Sequence, residues 1–193
     1  MDRTTLTGSL LVAAPMLRED SFRRSVVFVV DDTADGTLGV ILNRPSDAAV
    51  GAVVAEWGGR ASEPAVVFSG GPVGTGSGIA LGAAALDGRP EGWSPLEGLG
   101  PRSGLESVGM VDLGRTPDTA DASLTALRVF DGYAGWSSGQ LAGEIEEGAW
   151  FVVSATADDV FTAAPEGLWG RVLRRQGGTL ALLSTYPDDP ELN

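Results

Sequence analysis

Residues 25–43, SVVFVVDDTADGTLGVILN, contain two β-branched runs on either side of a polar segment. Such runs are typical of strands, and Asp35-Gly36 is a favourable turn pair. The sequence therefore predicts a β-hairpin over residues 25–43. Both of its strands are apolar on both faces, so we expect other elements to pack on each side of it.

Working outward from the hairpin, five further segments have the apolar composition of strands. They are residues 6–13, 64–71, 105–114, 149–156 and the beginning of 179–193. Between the hairpin and the first strand, Leu17 and Phe22 are expected to face inward from a turn or short helix. Residues 74–104 are rich in glycine, alanine and proline, which predicts a surface loop with a short strand near Ile79–Leu81.

Helices are expected mainly in the second half of the chain. The periodicity indicates helices over 50–58 (packing Val53, Val54 and Trp57), 120–128, and 158–178 as a short turn followed by a longer helix. In the last of these, Leu168, Trp169, Val172 and Leu173 form an apolar face, and Gly177 is expected to end the helix.

The order of these elements predicts an α+β fold. An early hairpin and irregular, late helices do not follow the βαβ alternation of a doubly wound sheet. We expect one domain over residues 1–193 with a mixed, largely antiparallel sheet.

Composition excludes several kinds of chemistry. The 193 residues include no cysteine, histidine or lysine, and all 13 basic residues are arginine. Thiolate or imidazole metal sites, Ser-His-Asp triads, Schiff bases and P-loop lysines are therefore impossible. Acid–base catalysis would have to use Asp, Glu or Tyr, so we expect a non-enzymatic protein without a metal or cofactor.

The charge and hydropathy of the chain restrict its partners. A net charge of −13 makes nucleic acid an unlikely partner unless the arginines share one face. The candidates for such a face are Arg23 with Arg24, and Arg171 with Arg174 and Arg175. No apolar run is long enough to span a bilayer, which predicts a cytoplasmic protein that does not enter a membrane.

Two glycine-rich stretches remain open to functional interpretation. SGGPVGTGSG (69–78) lacks the lysine of a P-loop and the spacing of a dinucleotide fingerprint, so it is a structural turn or a backbone anion cradle. FDGYAGWSSGQLAGEIEEGAW (130–150) predicts a rigid corner and a helix capped by Ser137 and Gln140. Tyr133 and Trp136 are expected to be largely buried, as core residues or as a pocket wall.

Several motifs along the chain resemble the YqgE/AlgH family of bacterial proteins. They are LTGSLLVAA with Pro15, FRRSVVF, GVILNRP, GGPV, GYAGWSSGQL and the ending YPDDPELN. The resemblance implies a curved, barrel-like sheet with peripheral helices and no established activity. It also implies a regulator label, through a member linked to alginate synthesis. The chain departs from the family at Asp31 and Asp32, where many members have histidine, and at Ala142, often glutamate. GTGSG (74–78) is local to this sequence.

The positions shared with the family give a candidate site at the LNRP, GGPV and GYAGW segments. Its candidate ligand-binding residues are Arg24, Ser25, Asn43, Arg44, Gly70, Gly71, Tyr133, Trp136 and Gln140. Because an isolated arginine near exposed amides suits a carboxylate or phosphate, the leading hypothesis is a regulatory protein that binds a small anion or a protein partner.

Two alternatives remain. One is a hydrolase-like enzyme that uses Ser25 or Tyr133 with Asp131 or Glu144. The other is a transcription-related regulator, acting through partners or through DNA.

Overall fold

The computed structural model describes residues 5–85, 87–99, 104–118 and 122–187. They form a mixed α+β domain. The strands are β1 (Ser9–Ala13), β2 (Val26–Asp32), β3 (Gly36–Ile41), β4 (Pro45–Ala49), β5 (Val66–Ser69), β6 (Val73–Ala84), β7 (Trp93–Pro95), β8 (Val108–Val111), β9 (Leu124–Ser137) and β10 (Trp150–Ser154). The helices are α1 (Val50–Val53), α2 (Gln140–Glu146), α3 (Ala157–Val160), α4 (Leu168–Gln176) and α5 (Gly178–Leu183), with 3-10 helices at Ala55–Arg60 and Pro165–Gly167.

The strands form one mixed, largely antiparallel sheet, as the sequence predicted. Its order is β10-β1-β2-β3-β9-β6-β8-β7; β5 pairs with β9, and β4 lies beside β5. The β5–β9 pair is parallel and the others are antiparallel. Within the described residues β10 and β7 do not pair, so the sheet is open.

The hairpin at 25–43 is confirmed as β2 and β3, with Phe28 opposite Val40. Val26 and Phe28 belong to the largest core cluster, whereas Val27 and Val29 belong to a second cluster on the other face. Both faces of the hairpin are therefore covered, which explains why both are apolar. Leu17 and Phe22 pack against the second cluster, as expected.

Strand β9 replaces two predicted elements. The predicted helix at 120–128 is wrong, since Leu124–Arg128 belong to this strand; the part of the prediction at 120–121 lies outside the described residues. Leu124 and Leu127 mimic helical spacing, but pairing with β6 along Leu124–Asp131 outweighs that local pattern. The predicted corner at 130–137 is the second half of the same strand, which pairs there with β3.

Strand β6 confirms the short strand predicted near Ile79–Leu81, but it is much longer, so the loop predicted at 74–78 and 82–84 is wrong. Its glycines lower its intrinsic strand propensity, but Ile79–Ala83 pair with Phe130–Ala126 on one side and with β8 on the other. Strand β7 lies in the same predicted loop. Between Val73, opposite Tyr133, and Gly78, opposite Asp131, β6 carries a bulge at residues 74–77.

Helix α4 is confirmed with its four predicted core residues buried. Gly177 follows it at a φ of +72°, as a C-terminal glycine should. The next element is helix α5 and not the predicted strand, because Leu180 and Leu183, three residues apart, both pack on the core. The predicted tail at 188–193 lies outside the described residues.

The predicted helix at 50–58 is shorter than expected. It is divided into α1 and the 3-10 helix Ala55–Arg60. Trp57 is buried as predicted, but Val53 is 62% exposed and does not join the core.

Candidate functional site

The LNRP, GGPV and GYAGW segments lie side by side. The Ile41 amide donates to the Gly70 carbonyl at 2.9 Å, and the Ser69 amide donates to the Arg44 carbonyl at 2.8 Å. The Gly70 amide in turn donates to the Asp131 carbonyl at 2.8 Å. Three segments that are distant in sequence therefore converge, through backbone hydrogen bonds between strand ends.

The glycines at this junction allow the backbones of neighbouring segments to pack in direct contact. A Cβ on Gly70 would lie 2.2 Å from the Gly132 oxygen, and one on Gly71 would lie 2.2 Å from the Tyr133 carbonyl carbon. Gly132 has a φ of +69°, and a Cβ there would lie 2.7 Å from the Gly71 oxygen. Close packing of the chain accounts for all three glycines. Tyr133 is half-buried and packs against the largest core cluster.

Trp136 and Gln140 belong to a different arrangement, which we call the Trp136–Glu144 cluster (Phe22, Trp136, Gln140, Glu144 and Trp150). The indoles of Trp136 and Trp150 both donate to Glu144 Oε2, at 2.9 and 2.8 Å. Gln140 Nε2 donates to Glu144 Oε1 at 3.0 Å. Phe22 stacks on Trp136 and meets Trp150 edge to face, which packs the three rings together.

The predicted capping box before α2 is present in part. The Ser137 amide donates to Gln140 Oε1 at 3.1 Å, as the motif requires. The residue preceding the helix is Gly139, in the left-handed conformation, and no side chain caps the helix there. Trp136 and Gln140 therefore make their hydrogen bonds to other groups of the protein.

The residues of the hydrolase-like alternative do not pair with one another. Ser25 is fully buried, and its hydroxyl has no hydrogen-bond partner among the described residues. Glu144 accepts hydrogen bonds from the two indoles and Gln140, while Asp131 Oδ1 accepts from the Gly76 amide at 2.6 Å. Within the described part of the chain, no nucleophile lies hydrogen-bonded to a carboxylate at this junction.

A cleft of about 410 Å³ collects the remaining predicted residues. We call it the arginine cleft. It is lined by Arg24, Asn43 and Arg44 from the ends of the hairpin, and by Glu166, Gly167, Trp169, Gly170, Arg174 and Ser184 from the C-terminal part of the chain.

The hairpin holds Arg24 in an unusual backbone conformation, with a φ of +52°. Asn43 supports it, because its Nδ2 donates to the Arg24 carbonyl at 2.8 Å and its Oδ1 accepts from the Val26 amide at 2.9 Å. The Arg24 guanidinium lies 4.5 Å from the Trp169 ring centroid and donates to the Tyr186 carbonyl. Asn43 therefore positions Arg24, and Trp169 supports its charged group.

Positive charge is crowded in this cleft. Burial, and secondly the charge of Arg23, lower the pKa of Arg44. Arg44 donates to the Arg23 carbonyl, and neither Arg44 nor Arg174 forms an ion pair within the described residues. The one acidic side chain among the lining residues is Glu166. Burial and the charge of Arg23 both disfavour the charged form of Arg44, and a bound anion would favour it.

The C-terminal half of the cleft was not predicted from sequence. Arg171 donates to the Ala164 carbonyl and the Thr162 hydroxyl, and Arg175 forms a bidentate pair with Asp159. Arg174, between them, is exposed and turns toward the cleft. The group of three arginines was visible in the sequence, but only the packing of α4 shows which one faces Arg44.

Arg128 is a second desolvated arginine, in the core and away from the arginine cleft. It is 1% exposed, donates from Nη2 to the Glu63 carbonyl at 2.9 Å, and lies 4.3 Å from the Phe68 ring centroid. Its Nε and Nη1 have no hydrogen-bond partner among the described residues. Burial lowers the pKa of Arg128 to about 10.

The described residues offer neither an acidic metal site nor a membrane-spanning helix. Residues 5–85, 87–99, 104–118 and 122–187 contain no group of three or more acidic side chains placed to hold a metal ion. None of the helices in that part of the chain has the length and apolar character needed to cross a membrane.

Comparison with known proteins gives consistent matches over nearly the whole chain. A family model described as AlgH-like matches residues 10–181. A UPF0301 protein of Thermobifida fusca is 57% identical over 194 residues, which cover 100% of this chain and 98% of that protein.

Solved structures agree with the sequence matches. The crystal structure of a Corynebacterium diphtheriae protein has a TM-score of 0.84 and 34% identity, covering 96% of this chain and 94% of that one. The solution structure of AlgH from Pseudomonas aeruginosa has a TM-score of 0.64 and 27% identity, covering 97% of each chain. These names assign no reaction and no ligand, so the family has no established biochemical function. The chain belongs to this AlgH-like family of bacterial proteins.

Proposed function

We propose that this protein is a non-enzymatic, cytoplasmic binding protein whose arginine cleft takes a small carboxylate or phosphate. One observation carries the proposal: three arginines line a single cleft in a chain of net charge −13, and two of them form no ion pair with described residues. Like charges brought together at a partly buried position cost free energy, which an anionic ligand would offset.

The geometry suits a small ligand with planar oxygen groups. Arg44 from the hairpin and Arg174 from α4 both line the cleft. Guanidinium groups bind carboxylates and phosphates through paired hydrogen bonds. The fixed positions of Arg24 and Asn43 reduce the side-chain entropy that ligand binding would otherwise cost.

The test is calorimetric titration with two probes, inorganic phosphate and citrate. We expect binding to weaken at least tenfold in Arg44→Gln and in Arg174→Gln, and to weaken with added salt. Arg115→Gln is the matched control, because Arg115 forms ion pairs with Glu91 and Asp112 outside the cleft. Equal affinity in wild type and Arg44→Gln, or no binding of either probe, would contradict the proposal.

Duplex DNA is a poorer candidate for the same cations. Arg171 and Arg175 are engaged by neighbouring groups of the protein, which reduces the arginine surface that a phosphate backbone could meet. We therefore expect no salt-dependent retardation of duplex DNA in a gel-shift titration.

A further inference from the structure

A second cavity of about 550 Å³ lies on the other side of the β5–β9 pair from Arg128, and we call it the apolar groove. Its apolar lining includes Val53, Val54, Val67, Leu113 and Val129. A cavity of this size is typical of small-molecule sites, which commonly measure about 300–1,000 Å³. The arginine cleft shares no lining residue with it.

Glycines of the β6 bulge keep the groove open. An added Cβ would meet nothing within 4 Å at Gly76, and at Gly78 it would meet only the Leu113 side chain and the Phe130 oxygen, at 3.7 and 4.0 Å. Gly78 also has no left-handed φ, so neither close backbone packing nor backbone conformation requires glycine there. This differs from Gly70 and Gly71, where close packing accounts for the residue. The missing side chain instead leaves open space beside the Leu113 side chain.

The apolar surface of the groove continues to its mouth. Val53 is 62% exposed although it is a large aliphatic residue, and it lines the groove at the end of α1. Exposed apolar side chains next to a concave apolar surface often mark ligand sites.

The charge of the groove is negative. Asp131 lines it, and the Gly76 amide holds its Oδ1 at 2.6 Å, which leaves its other oxygen without a partner among the described residues. No lining residue is basic. The same hydrogen bond argues against an anion cradle at 69–78, because a carboxylate of the protein already accepts from the Gly76 amide.

We propose that the apolar groove binds a small apolar molecule that carries one protonated amine. The apolar part contacts Val67 and Val129, and the ammonium group donates to the Asp131 carboxylate. The Ser69 hydroxyl lies in the same lining and accepts a further hydrogen bond from the amine. Apolar burial supplies most of the affinity, and the carboxylate selects for the charge.

The test compares tryptamine with its neutral counterpart tryptophol, in which a hydroxyl replaces the amine. Calorimetric titration at low salt should show that wild type binds tryptamine at least tenfold more tightly than tryptophol. Asp131→Asn keeps an oxygen for the Gly76 amide and removes the charge, so it should abolish that preference. Asp47→Asn is the control, because Asp47 lies on β4 between the lining residues Ser46 and Ala48 but does not line the groove.

A second variant fills the groove without relying on charge. Gly78→Leu should abolish binding of both probes, while the unfolding midpoint reports whether the variant remains folded. Equal binding of the two probes to wild type, an unchanged preference in Asp131→Asn, or no binding of tryptamine would each overturn the proposal. Arg44→Gln should bind tryptamine as wild type does, which separates this site from the arginine cleft.

Discussion

The Trp136–Glu144 cluster and the arginine cleft differ in whether their charged groups have partners of opposite or complementary character within the protein. In the cluster, one carboxylate accepts hydrogen bonds from two indoles and a glutamine, and three aromatic rings surround it. In the cleft, three cations share a lining with one acidic side chain, and burial lowers the pKa of Arg44. The cluster is complete within the protein, whereas two of the cations in the cleft form no ion pair with the described residues. Internal completeness, more than residue type, separates the structural cluster from the proposed binding site.

The largest effect is expected where backbone packing supports the cluster. Gly132→Ala would place a Cβ 2.7 Å from the Gly71 oxygen at a φ of +69°, in the strand that carries Trp136. We expect the free energy of unfolding to fall by about 3 kcal/mol or more, measured by urea denaturation. Gly143→Ala in α2 is the control, since a Cβ there meets nothing within 4 Å, and it should not destabilise the protein.

Glu144→Ala removes the centre of the cluster and leaves two indole N–H groups without their acceptor. We expect a loss of about 2–3 kcal/mol in the free energy of unfolding. Glu146→Ala, exposed on the same helix, should change it by less than about 0.5 kcal/mol. If the two variants proved equally stable, the structural interpretation of the cluster would be wrong.

Arg128→Met extends the comparison to a buried cation that lies outside the arginine cleft. Removing the desolvated charge should raise the free energy of unfolding by about 1–2 kcal/mol at pH 7. This is a net value that includes the loss of the hydrogen bond to the Glu63 carbonyl. Burial lowers the folded-state pKa of Arg128 to about 10, below the ordinary pKa of arginine. At pH values between these two pKa values, the unfolded chain therefore binds more protons than the folded protein. The advantage of the variant should therefore be constant below about pH 10 and shrink above it, in denaturation curves recorded across pH.

The smallest stability change is expected for Arg44→Gln. The substitution relieves the burial of a charge and, secondly, the repulsion with Arg23; both effects are reduced by solvent at this half-buried position and partly offset by the weakened contact with the Arg23 carbonyl. Urea denaturation should show a change below about 0.5 kcal/mol, although the anion affinity falls at least tenfold. A large destabilisation would place Arg44 among the structural residues, with Glu144.

The hairpin, α4 and the mixed sheet were predictable because their signals are local. β-branched runs around Asp35-Gly36 and the apolar face of Leu168, Trp169, Val172 and Leu173 need no knowledge of distant partners. Strand β6 was predicted only near Ile79–Leu81, because the rest of it depends on pairing with β8 and β9 and its glycines resemble a loop. The segment at 124–128 was misassigned because Leu124 and Leu127 fit both a helix face and an irregular strand.

The sequence predicted only the part of the arginine cleft that comes from the ends of the hairpin. Arg24, Asn43 and Arg44 were selected from sequence and do line one cleft, but Ser25 faces the core and Trp136 and Gln140 belong to the Trp136–Glu144 cluster. Trp169, Arg174 and Ser184 reach the cleft through the packing of α4 and α5 on the sheet. Contacts between residues more than a hundred positions apart cannot be read from local pattern.

The pairing of strand β9 restricts where residues can be inserted or deleted. Its 14 residues pair with β3, β5 and β6, and Arg128, Asp131 and Trp136 all lie on it. Because side chains alternate between faces, a single inserted or deleted residue between 128 and 136 would exchange interior and exterior for everything beyond it. We expect insertions and deletions among relatives to avoid this span and to accumulate instead in the β6 bulge at 74–77, where extra residues leave the pairing register intact.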